Sequence, residues 1–148
     1  MARALAVLAV ALPLVAQGTA CADDVVVEVT MVKAKPNGSS DPALRPWRSA
    51  LRRISGYRAY RVVDTQQREC NWARRQEFHL PGDRLLYVTP RGLRGQRVLM
   101  DVRLLEGANE VVKTDVQIGD HGPMFMQMNR DGTTSDGALV IMLKAGVQ

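Results

Sequence analysis

Three thioethers occupy alternate positions near the C-terminus: Met124, Met126 and Met128 in the segment HGPMFMQM. In an extended strand, alternate residues share a face about 6.8 Å apart. The spacing therefore predicts a Met-Met-Met face with His121 just before it. Thioethers and imidazole are the soft ligands that hold Cu(I), so copper carriage is one chemistry the sequence offers. Packing competes with it. Methionine is an adaptable core residue, and the opposite face carries only Phe125 and Gln127. A methionine face turned inward is what a sandwich strand requires, and the core reading takes precedence.

A second cluster is cationic. Arg45, Arg48, Arg52 and Arg53 fall in a segment with helical periodicity. On a helix Arg45, Arg48 and Arg52 line one side at spacings of three and four, while Arg53 lies about 100° away. Such a set suits an anion, an acidic glycan or an acidic protein partner. The competing reading is an ordinary solvated basic face.

Catalytic equipment is sparse. The two histidines, His79 and His121, sit in no HExxH-type motif, and neither a GxSxG elbow nor a phosphate-binding glycine loop occurs. Cys70, in QRECNWARR, has arginines nearby that could activate a thiolate. A lone cysteine on a strand is more often an inert core residue. The expectation is a protein that is not an enzyme and needs no cofactor, copper being the alternative.

The N-terminus, MARALAVLAVALPLVAQGTACA, has Arg3 as a short positive region. An uncharged run from Leu5 to Ala16 and small residues follow. Twelve apolar residues reach about 18 Å as a helix, too short for a hydrocarbon core of about 30 Å. Residues 1–22 are therefore expected to be a signal peptide, with Ala20-Cys21-Ala22 as the cleavage region and 23–148 as a single exported domain. Cys21 admits two other fates. Lipidation there would tether the protein to a membrane. Cleavage before it without lipidation would permit a bridge to Cys70. Cleavage after Ala22 leaves Cys70 alone.

Loss of Arg3 leaves 19 basic and 15 acidic residues, a net charge of +4. Between Arg45 and Arg103 stand fourteen arginines and five acids, a balance of +9; from Leu104 onward three basic and six acidic residues give −3. That asymmetry suits docking. Aromatic residues amount to 5% and are not interleaved with the arginines, so no nucleic-acid platform is indicated.

The elements that must position these residues are mainly strands. Val25–Lys33 is β-branched, and Asp41-Pro42 has the form of a helix cap followed by proline at the first turn. Leu44, Trp47, Leu51 and Ile54 form one apolar helical stripe, and Gly56 is placed to end the helix. This predicts one amphipathic helix over about 43–55. Further strands are expected within Tyr57–Asp64, Asn71–Leu80, Arg84–Thr89, Arg97–Leu105, Glu110–Ile118, Met124–Met128 and Ala138–Lys144, separated by Gly/Pro/Asp turns. The fold class is mainly β: an antiparallel sandwich or flattened barrel of about eight strands, the helix covering one end or face.

The segments VVKTDVQIGDHGP and GALVIMLKA, in which a T-x-V strand runs into a glycine turn, are similar to paired strands of secretion-pore proteins over about 35 residues. The resemblance does not extend to that family's repeated upstream domains. It implies an envelope-assembly role. Together these features lead to the expectation of a non-enzymatic envelope domain that binds a protein partner.

Overall fold

The computed structural model describes residues 24–119, 122–128 and 137–147. The expected signal peptide, Cys21 and His121 lie outside the described residues.

Eight strands are present: β1 (Val25–Lys35), β2 (Ala59–Cys70), β3 (Gln76–Leu80), β4 (Arg84–Arg94), β5 (Arg97–Glu106), β6 (Asn109–Ile118), β7 (Met124–Met128) and β8 (Ala138–Val147). They form two antiparallel sheets of four, ordered β2-β1-β8-β7 and β3-β4-β5-β6. The chain is a β-sandwich, as its alternating strands and tight turns require. Odd-numbered residues of β1 (Val25, Val27, Val29, Met31) face Phe78, Leu86, Val88, Met100 and Val102 of the second sheet. Burying these side chains is the main stabilisation of the fold, at roughly 1.5–3 kcal/mol for each large aliphatic.

A flattened barrel is not realised. Among the described residues neither β2 with β3 nor β6 with β7 forms a ladder, so the two sheets do not close into one. The β2/β3 seam is closed by side chains instead: Gln66 Nε2 donates to the His79 carbonyl at 2.9 Å, and an Arg68 guanidinium N–H donates to the Glu77 carbonyl. A bulge at Val63 makes this seam, because the β1–β2 register shifts between Met31 and Val32. Tyr60 and Val62 therefore belong to the outer face, while Gln66, Arg68 and Cys70 turn toward the second sheet. Between β6 and β7, among the described residues, one isolated bridge joins Gly119 to Gly122 in the connection itself.

The helix covers the outer face of the first sheet. Pro42–Trp47 is a 3-10 turn and α1 spans Arg48–Ser55. Asp41 caps the entry, its carboxylate accepting from the Ala43 N–H at 3.0 Å, and Gly56 ends α1 at φ +73°, a conformation glycine adopts without strain. Pro46 falls in the 3-10 segment, ahead of the α-helical ladder, so it interrupts no α-type hydrogen bond. Leu44 and Leu51 are buried against Val32, Ala34, Tyr60 and Val140. Ile54, expected on the same stripe, is 40% exposed.

Two strands run past their expected ends. β2 starts at Ala59 rather than Tyr57 and extends to Cys70 through polar residues, where hydrophobic alternation gives little signal. β4 does not stop at Thr89 but continues through Pro90 and Gly92 to Arg94, a register shift between Pro90 and Gly92 accommodating the proline.

Candidate docking surfaces

Arg45, Arg48, Arg52 and Arg53 are all exposed on the solvent side of the helical segment. The anchor beneath them is rigid. Leu51 is fully buried, and Trp47 meets Phe125 edge to face at 6.5 Å and lies under Lys144 Nζ at 5.2 Å. The Ser55 hydroxyl donates to the Leu51 carbonyl at 2.8 Å and is 3.0 Å from the Tyr60 hydroxyl, which bonds the Tyr57 carbonyl. Among the described residues none of the four arginines is in an ion pair. The cations that are paired lie elsewhere: Arg84 with Glu106 (2.9 Å), Arg91 with Asp101 (3.1 Å), Arg103 with Asp101 and Glu110, and Lys144 with Glu28. Arg52 and Arg53 also lie in the last turn of α1, where positive charge complements the helix dipole. The arrangement presents exposed guanidinium groups, in no ion pair among the described residues, to an anionic surface.

Met124, Met126 and Met128 do share one side of β7, and that side faces the inter-sheet core. Met128 is buried, Met124 and Met126 are packed against the same cluster, and Phe125 points the other way onto the helix contact. Holding a metal there would require the thioethers to leave these contacts. Among the described residues no group of three or more His, Cys, Asp or Glu is placed to hold a metal ion.

Cys70 is fully buried in the inter-sheet core. Burial raises its thiol pKa above the ordinary value, and the opposing attraction of Arg68 does not reverse this. The thiol form is favoured, the opposite of what a nucleophile needs. His79 is exposed on β3, where its backbone carbonyl rather than its ring is engaged.

A cavity of about 290 Å³ opens at one end of the sandwich, lined in part by Lys33, Arg84, Met128 and Leu139. Among the described residues its titratable lining is Lys33 and Arg84, and Arg84 is committed to Glu106. No carboxylate among the described residues lines it to serve as an acid–base partner.

Some polar residues of interest were not singled out by sequence reasoning. Asp101, in the middle of β5, is 7% exposed, with its Oδ2 bound by Arg91 and its Oδ1 without a hydrogen-bond partner among the described residues. It stands directly opposite Asp115 of β6, as Arg103 stands opposite Lys113. Only the β5–β6 register reveals these like-charge neighbours.

The two segments that resemble paired strands of secretion pores fall on β6 and β8, which lie in different sheets; β8 pairs with β1 and β7. No family model, no curated protein and no solved structure matches the chain.

Proposed function

We propose that this chain is a non-enzymatic envelope domain, exported by residues 1–22, that docks an acidic partner protein through Arg45, Arg48, Arg52 and Arg53. One observation carries the reading: four exposed guanidinium groups, clustered on a helix packed against the sandwich, with no ion pair among the described residues. Fixed charges of one sign steer association and discriminate among partners more than they add raw affinity. The scant acid–base equipment of the cavity among the described residues and the protonated Cys70 thiol support a binding role over a catalytic one. The resemblance to secretion-pore strands gains no support from the topology, so the partner is defined by its acidic surface alone.

The test is capture from solubilised envelope fractions, comparing the wild type with a variant carrying Arg45→Glu, Arg48→Glu, Arg52→Glu and Arg53→Glu. The expected partner has an acidic surface, is released by raised salt and is lost with the variant. Equal capture by both proteins refutes the reading. Mass measurement of the exported protein tests the export step, with Asp23 as the expected first residue; a lipidated Cys21 would add a membrane anchor.

A further inference from the structure

We propose that the free edge of β6 is a homodimer interface, in which two copies pair antiparallel about Thr114 and join their four-stranded sheets into one of eight. This inference concerns a different face from the arginine helix and stands independently of it.

β6 is the terminal strand of its sheet, and among the described residues no strand pairs with its second edge. Such an edge presents unpaired backbone N–H and C=O groups and is a template for another strand. No bulge interrupts its central run: Val112 to Ile118 keeps unbroken register with β5, and the irregularity in the ladder falls at the Val111 end. β2, the terminal strand of the other sheet, is different. A bulge at Val63 breaks it, and its Gln66 and Arg68 side chains are committed to the β3 carbonyls.

The side chains of β6 select the partner. On its outer face Lys113 stands directly opposite Arg103 and Asp115 directly opposite Asp101, like charge beside like charge in both rows. Arg103 and Asp101 are themselves paired, with Glu110 and Arg91 as further partners. Among the described residues Lys113 and Asp115 have no ion pair, and both are exposed. Like charges directly opposed across strands are destabilising. A strand that brought an acid beside Lys113 and a base beside Asp115 would offset the mismatch on both rows.

β6 itself is that strand. Two identical strands paired antiparallel about a two-fold axis normal to the sheet must be centred on a residue. Centring on Thr114 places Lys113 opposite the second copy's Asp115, twice, and Val112 opposite its Val116, twice. Centring on Lys113 or Asp115 would instead oppose identical charges. Val112 is 36% exposed at the open margin of the sandwich, where β7 spans only five residues, so the second copy would cover an apolar side chain left partly in water.

The test is sedimentation velocity of the protein purified after expression of its full-length gene, at low salt over a range of concentrations, with charge-swap variants. The wild type is expected to dimerise. Lys113→Asp sets an aspartate against the second copy's Asp115, and Asp115→Lys sets a lysine against its Lys113; each single variant should weaken homodimerisation by at least about tenfold. Neither should lose stability as a monomer, because each replaces a like-charge neighbour on β5 by an opposite one. Mixing the two single variants should restore association as a heterodimer, and the double variant should dimerise again. A monomeric wild type at 100-micromolar-order concentrations overturns the proposal. So does a dimer indifferent to the swaps, or one that the mixed variants fail to rebuild.

Discussion

Truncating Leu51 to alanine should uncouple the helix from the sandwich. Leu51 is fully buried, and α1 is eight residues long, too short to persist in water without tertiary contacts. Removing the buried leucine atoms and leaving a cavity between α1 and the outer face of the first sheet should cost about 3 kcal/mol, within the 2–5 kcal/mol range of buried large-to-small changes. For a domain of this size that corresponds to a fall of roughly 10–15 °C in Tm. Ile54→Ala is the matched control. It removes an aliphatic side chain of similar size three residues further along the same helix, but one 40% exposed, and should cost no more than about 1 kcal/mol. Thermal and urea unfolding followed by circular dichroism would give both values. If Ile54→Ala proved as costly as Leu51→Ala, the helix would be docked on a different stripe. The orientation of its arginines toward solvent would then be wrong.

The sandwich makes other changes unequal in the same way. Gly137 has φ +88°, and a Cβ there would lie 1.9 Å from the Ala34 carbonyl oxygen, so Gly137→Ala should cost more than about 2 kcal/mol; Gly92→Ala, with open space around it, should be close to neutral in the same melts. Arg68→Met removes a hydrogen bond to the Glu77 carbonyl and a cation–π contact at 5.1 Å from the Phe78 centroid. It should cost about 1–2 kcal/mol and speed amide exchange along β3, measured by hydrogen exchange. Cys70 should resist thiol reagents until the protein unfolds. Because burial holds its thiol pKa above the ordinary 9.0, the associated stability is complete below that pH and is lost as pH rises through the higher folded value. Cys70→Ala should flatten that alkaline decline in a series of denaturation curves. Replacing Met124, Met126 and Met128 together by leucine keeps volume nearly constant, so calorimetry should record a loss of no more than about 1.5 kcal/mol if their role is packing. A larger loss together with abolished Cu(I) binding would favour the metal reading.

Much of the architecture was legible because its signals are local. Asp41-Pro42 and Gly56 bracket the helical segment by capping chemistry, and Val98, Met100, Val102 and Leu104 alternate inward as the sequence indicates. The Met124/Met126/Met128 face was correctly placed on one side of a strand, since a period of two fixes it. What was not legible depends on registers between distant strands. The bulge at Val63 reverses the parity of β2, so nothing in its local pattern announces that Gln66 and Arg68 reach the second sheet. The burial of Asp101 and the like-charge pairs across β5 and β6 need the hairpin register, in which Leu104 meets Val112 and Val111 is skipped. The arginine set was legible as residues on a helix, but its freedom from carboxylates became visible only when Glu28, Asp101 and Glu106 found their partners elsewhere.

The most direct measurement of the docking role is photo-crosslinking in living cells from a reactive residue at Ser49, exposed among the arginines, with Gln96 in the β4–β5 turn as the control position. The expected result is one discrete adduct with an acidic envelope protein from Ser49, absent from Gln96 and abolished by the four Arg→Glu substitutions. No adduct from Ser49, or one that survives those substitutions, would contradict an arginine-directed docking surface.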